Sequence, residues 1–148
     1  MTSINANREC MPVEETGVRK PVIVPPEQGR LYAMGRMHAV FKADTDETAG
    51  RYSVSEWWLE PRTRGPGVHV HPEDHVFYVI AGTLSLRIGD DWSEVAKGSY
   101  AVIPGRTPHD FENRGSVPAG FIVFNTPGGF ETKMPDIASA LGAEDLRI

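Results

Sequence analysis

The sequence predicts an all-β fold, a jelly-roll barrel closed by one short C-terminal helix, and three observations carry that expectation. Glycine and proline are plentiful, 15 and 12 of 148 residues, which supplies turns for many short elements rather than a few long helices. From residue 31 onward, strand-like segments recur between those turn signals at roughly 8–12-residue spacing, the rhythm of a sandwich or barrel. Only residues 135–141 carry helix start and stop signals, with Pro135 and Asp136 in the first turn and Gly142 as the stop. No βαβ unit and no solenoid repeat is present, which excludes Rossmann, P-loop and repeat architectures.

Taken in order, residues 1–20 are polar and read as an arm ahead of a single domain at 21–148. Val22-Ile23-Val24 lies between Pro21 and Pro25-Pro26, so it is an extended piece confined to a sheet edge or to a contact with a second subunit. Residues 31–42 form one extended segment, Asp44-Thr45-Asp46-Glu47 with Gly50 a turn, 51–60 a strand stopped by Pro61, and 62–67 a loop. Residues 68–71 form a short strand, and 75–81 a strong one ended by Gly82. The strand at 83–88 turns through Gly89-Asp90-Asp91 into 92–96. Lys97-Gly98 leads to 99–103, a proline–glycine loop to 109–113, and Gly115 to 119–125. The loop Thr126-Pro127-Gly128-Gly129 then reaches the helix.

Composition narrows the classes. Hydrophobic residues at 40% and charged residues at 24% are ordinary globular usage. Fifteen Lys and Arg against 20 Asp and Glu leave a net charge of −5 with no basic run, so a nucleic-acid partner is not expected. No apolar stretch approaches the length of a membrane span, and the first twenty residues lack the apolar core of a secretory signal. The single cysteine, Cys10, has no internal partner, which fits a reducing cytoplasm and a bystander role.

Three of the five histidines fall within seven residues, as His69-Val70-His71-Pro72-Glu73-Asp74-His75. In an extended chain, residues i and i+2 share a face with Cα atoms about 7 Å apart, so His69 and His71 are placed to reach one metal ion. Pro72 bends the chain, and His75 can return to the same focus. His109 opens a later strand that a barrel can bring to the same place. His38 has no partner nearby and reads as an exposed strand residue. Alternation counted from His75 turns Phe77, Val79 and Ala81 inward, and counted from His109 turns Phe111 and Asn113 inward. Trp57 and Trp58 must face opposite ways, and Trp58 is expected inward. Trp58, Phe77 and Phe111 are therefore the expected substrate-binding aromatics. Arg64 stands before His69, either meeting an acidic group at the mouth or solvated at the surface.

These residues resemble the two cupin motifs. His69, His71, the position of His75 and Gly82 follow H-x-H-x3-E-x6-G, with Thr63 where the motif has its leading glycine. Gly98, Pro104, His109 and Asn113 follow G-x5-P-x-G-x2-H-x3-N, with Arg106 at the second glycine and Gly105 one residue early. The motif-bearing segments are 63–82 and 98–113, and the chain resembles small single-domain, quercetinase-like cupins over residues 50–126.

The resemblance implies a double-stranded β-helix holding one divalent transition metal at His69, His71, His75 and His109. Fe or Mn is favoured, with Ni, Co, Cu or Zn as alternatives. His75 stands where the family usually has a glutamate ligand, which leaves the full charge of the metal on the site. The implied activity is a metal-dependent oxidoreductase, a dioxygenase using O2 on a small enolic or aromatic, flavonol-like substrate. The alternatives are a non-catalytic metal- or ligand-binding cupin, or a cupin isomerase or lyase. Glu73 is the nearest replacement for the missing carboxylate base, against a reading as a solvated turn residue. Residues 124–131 resemble the exit from the barrel in such cupins, either as a glycine turn or as a cover for the cavity. A homodimer is expected.

Overall fold

The computed structural model describes residues 19–148; Cys10 and all but the last two residues of the N-terminal arm lie outside this range. Nine strands form two sheets. They are β1 (Arg30–Met34), β2 (Met37–Ala43), β3 (Ser53–Leu59), β4 (Asp74–Ala81), β5 (Thr83–Ile88), β6 (Asp91–Ala96), β7 (Tyr100–Ile103), β8 (His109–Glu112) and β9 (Ala119–Thr126). The larger sheet runs β1-β2-β3-β9-β4-β7 and the smaller β6-β5-β8. A short helix α1 (Thr45–Thr48) follows β2. A 3-10 turn (Phe130–Lys133) leads directly into the C-terminal helix α2 (Met134–Gly142).

Every described strand pairing is antiparallel, so the two sheets each offer an apolar inner face to a shared core. That core contains Phe41, Trp57, Leu59, Phe77, Phe111 and Phe121. Aromatic edges and faces interlock there: Phe77 and Phe111 lie 5.3 and 5.2 Å from Phe121.

Four elements differ from the sequence expectation, each for a local reason. Residues 31–42 are a hairpin, not one strand, because Gly35 turns the chain at φ +68° and Met34 pairs with Met37. The 44–47 turn is extended into α1 by a capping box, in which the Glu47 carboxylate accepts the Asp44 N–H at 2.9 Å. The short strand at 68–71 is reduced to one bridge, His69 and His109 exchanging two 3.0 Å backbone hydrogen bonds. Val22 to Val24 join no strand, and Ile23 is 91% exposed.

Candidate metal centre

The site is built where the chain crosses between the sheets. The His69–His109 bridge fastens the 68–71 segment to β8, so His69, His71 and His109 project from the smaller sheet's side of the barrel. Alternation holds along this segment: Val68 and Val70 are 48% and 58% exposed while His69 and His71, which alternate with them, turn inward. The loop ahead of it is tightly fitted. A Cβ on Gly65 would lie 1.7 Å from the Phe111 carbonyl oxygen, and the buried Asp110 carboxylate accepts N–H groups from Gly67 and Phe111 at 3.2 and 2.8 Å. Burial holds that carboxyl above its usual range.

His69, His71 and His109 bring one ring nitrogen each to within 4.8 Å of one another. The expected fourth member, His75, is not part of this group. Pro72 carries the chain across to the larger sheet, where His75 pairs with Asn125 and Ile103. Its ring stacks on His71 at 3.7 Å, and its Nε2 faces the Asn125 amide. Asn125 is a site residue the sequence reading missed; it pairs directly with both His75 and Ser53 across β9.

Protonation follows from the outer partners. The Nδ1 of His69 lies 2.7 Å from the Gly67 carbonyl, and the Nδ1 of His109 lies 2.8 Å from the Thr107 carbonyl. A carbonyl can only accept, so both Nδ1 atoms carry a proton, and in a neutral ring held this way Nε2 has the lone pair that binds a metal. His109 Nε2, both ring nitrogens of His71 and Nδ1 of His75 are buried without a hydrogen-bond partner. Burial, reinforced by neighbouring imidazoles, pushes His71 down to about 4 and His75 down to about 2; burial also lowers His109. A cluster of neutral imidazoles with orphaned inner nitrogens fits a divalent transition metal.

Around this cluster is a cavity of about 390 Å³, within the size range of small-molecule sites. The barrel contributes Trp57, Phe77 and Phe111 to its wall. Phe77 and Phe111 thus stand where alternation put them. Trp58 does not: the inward set of β3 is Ser53, Ser55, Trp57 and Leu59. Trp57 donates its indole N–H to Ser55 at 2.8 Å inside the barrel. Trp58 lies outside, donating to Glu56 and covering Gly120, where a Cβ would meet its ring at 2.6 Å. The two serines on this inner face are each satisfied by an inner partner, Ser53 by Asn125 and Ser55 by Trp57.

The C-terminal segment supplies the rest of the wall. Phe130 sets its ring edge-on to His71 and His75 at 5.6 and 5.4 Å, and Ile137, Leu141, Lys133 and Glu144 line the opening. Of the two readings of residues 124–131, the glycine turn is present, Gly129 taking φ +95°, and it delivers Phe130 to the cavity wall. Glu73 is buried rather than solvated. It accepts from Lys133 Nζ at 2.7 Å and lies 3.7 Å from His71 Nδ1. Burial pushes its carboxyl up, but the Lys133 hydrogen bond and charge outweigh that and hold it below its ordinary value. Arg64 is tied to Glu144 and the Asp145 carbonyl, so its cation is committed to the C-terminus. His38 is exposed, as expected.

Two facing antiparallel sheets around a cavity floored with histidines define a jelly-roll barrel with a candidate metal site. Residues 55–125 match the cupin domain family Cupin_2, and the chain has the cupin fold with a short C-terminal helix. It is similar to an uncharacterized protein of Streptomyces coelicolor, 28% identical over 57 residues, which cover 38% of this chain and 54% of that one. The chain spans about half the length of the curated relatives it matches. Its fold is shared with the solved structure of KdgF from Halomonas sp., at TM-score 0.67 and 14% identity over 76% of this chain and 99% of that one. It is also shared with the polyketide cyclase RemF from Streptomyces resistomycificus, at TM-score 0.64 and 23% identity over 72% and 80%. No helix among the described residues is long and apolar enough to cross a membrane.

Proposed function

We propose that this cupin is a metal-dependent enzyme acting on a small, planar, enolic or aromatic compound. The observation that carries the proposal is the set of neutral imidazoles turned into an apolar cavity. His69, His71 and His109 would hold the metal, and His75, whose Nδ1 is buried without a partner, would complete the set. Fe or Mn is the metal favoured for oxygen chemistry, with Ni, Co, Cu and Zn open to the same imidazoles. When bound, the metal supplies Lewis acidity and, for a redox-active ion, a route for electrons from an enolate to O2. With no carboxylate among the ligands, its charge is left to attract an anionic oxygen of the substrate.

The chain's own contribution is shape and dryness. Trp57, Phe77, Phe111 and Phe130 favour a flat apolar body and exclude water. Oxidative cleavage is the first reading. Ring closure or isomerisation without O2 is the second, supported by the shared fold of the polyketide cyclase RemF.

The test is protein from metal-controlled expression, loaded separately with Fe, Mn, Co and Ni and offered flavonols, catechols and 1,3-diketones. O2 uptake supports the first reading, and turnover under argon the second. Metal that binds at one equivalent without turnover of any of these compounds overturns the enzyme assignment in favour of a binding module. A homodimer formed through the outer face of the larger sheet belongs to the same proposal. Tyr78, Tyr100 and Val102 stand exposed there side by side, a strip suited to a second copy.

A further inference from the structure

Two of the three clustered imidazoles are oriented in the same way. His69 is held by the carbonyl of residue 67 and His109 by the carbonyl of residue 107, each two positions back in the chain. His71 has no such carbonyl, and neither of its ring nitrogens has a hydrogen-bond partner. The acceptor in the corresponding place is the Glu73 carboxylate, whose Oε2 is buried, lacks a hydrogen-bond partner and lies 3.7 Å from His71 Nδ1. Its other oxygen is fixed by Lys133, the residue joining the 3-10 turn to α2.

We propose that Glu73 is a positioning residue for His71, holding Nδ1 protonated and the ring aimed inward, and that Lys133 fixes Glu73 for this role. The proposal rests on the metal reading given above and replaces the expectation that Glu73 is a base toward substrate. A carboxylate pinned by an ammonium group and facing a ligand's outer nitrogen is placed to set the tautomer and orientation of that ligand. Its 3.7 Å separation closes to a charge-assisted hydrogen bond with a small rotation of either side chain. The same pair ties the C-terminal segment to the centre. Phe130, three residues before Lys133, packs its ring edge-on against His71 and His75, so the wall of the cavity and the orientation of one ligand are fixed together.

The experiment is titration of the metal-free protein with Co(II) alone at neutral pH, following the visible absorption of the bound ion. It is run on the wild type and on Glu73→Leu, Glu73→Gln and Lys133→Met. Glu73→Leu, which offers no acceptor, is expected to lose roughly 10- to 100-fold in Co(II) affinity. Glu73→Gln keeps an acceptor oxygen and is expected to recover most of that loss, while Lys133→Met falls between them. Imidazole nitrogen NMR of the Zn(II) form gives the second readout: the wild type shows His71 protonated at Nδ1, and Glu73→Leu shows a mixture of tautomers. Far-UV circular dichroism and thermal melts of the metal-free variants identify any that fail to fold, and if Glu73→Leu does, Lys133→Met carries the test: a lowered Co(II) affinity with a mixed His71 tautomer supports the proposal, and wild-type values of both overturn it. Glu73→Leu binding Co(II) within twofold of wild type with an unchanged His71 tautomer overturns the proposal and leaves the metal reading standing. Failure of the wild type itself to bind Co(II) overturns both. Unchanged Co(II) affinity and an unchanged His71 tautomer in Glu73→Leu, with turnover lost in both Glu73 variants, returns Glu73 to the role of base.

Discussion

Acidifying the metal-free protein from pH 7 to about 5.5 is expected to destabilise it. In the unfolded chain His71 and His75 titrate at their ordinary value of 6.5, whereas in the fold burial and neighbouring imidazoles hold them at about 4 and about 2. Between these values the unfolded state binds more protons, so stability is fully present above 6.5 and falls as pH drops toward the folded values. At about pH 5.5 each group contributes a loss of about 1 kcal/mol relative to pH 7, or ~2 kcal/mol for the pair. The lowered His109 acts in the same direction. Asp110 acts in the opposite one, because burial raises its carboxyl and acid then favours the folded state. The window ends at about 5.5 to keep most carboxylates out of it. Urea denaturation should show the midpoint falling with an unchanged slope, and a thermal scan a drop of roughly 7 °C. His75→Gln removes one of the two groups and should halve the dependence. A stability that is flat or rises on acidification, or a His75→Gln protein with the full slope, would refute the account of these imidazoles as buried and neutral.

Further outcomes follow from single contacts. His109→Ala should abolish stoichiometric Co(II) binding, measured by equilibrium dialysis and metal analysis, whereas His75→Ala should retain the ion at lower affinity. Gly65→Ala drives a methyl group into the Phe111 carbonyl, and should cost about 3 kcal/mol in chemical denaturation. Trp57→Ala should cost about 3–5 kcal/mol and enlarge the cavity. Trp58→Ala should cost less and leave binding of an aromatic probe unchanged, as read by calorimetry. Charged substitutions at Tyr100 and Val102 should convert a dimer to monomer by light scattering while leaving metal content intact.

The barrel and the clustering of His69, His71 and His109 were legible because they depend on short-range pattern. Gly82 takes φ +65° with the Pro118 carbonyl against its α-carbon, and Gly98 takes φ +89°, conformations that other residues adopt at a cost. The motif departure at Arg106 also has a physical content. Arg106 adopts φ +65°, so the backbone keeps the left-handed turn that the family fills with glycine. The displaced Gly105 is needed for a different reason, since a Cβ there would lie 2.2 Å from the Pro72 carbonyl. What was not legible depends on partners distant in sequence. The inward side of β3 is one such case, since Ser53 and Ser55 are buried there with Asn125 and Trp57 as hydrogen-bond partners. Glu73 read as a surface turn until Lys133, 60 residues on, is found beside it.

The position of His75 shows why spacing alone does not determine a ligand set. A motif fixes separations along the chain, and it can place His69 and His71 on one face because nothing but an extended backbone lies between them. It does not say to which sheet the residue after a bend belongs. Pro72 sends the chain to the larger sheet, and once there His75 answers to Asn125 across the strand as well as to the cluster. A histidine in this place carries no charge of its own, and burial keeps it neutral, so its hold on a cation is weaker than that of the glutamate usual in the family. The residue that does carry the negative charge, Glu73, stands two positions earlier, 3.7 Å from an outer ring nitrogen of His71. The carboxylate has in effect moved from the first ring of contacts around the centre to the second. In the proposed metal-bound form it would orient a ligand without neutralising the cation, which favours an anionic oxygen arriving from the proposed substrate.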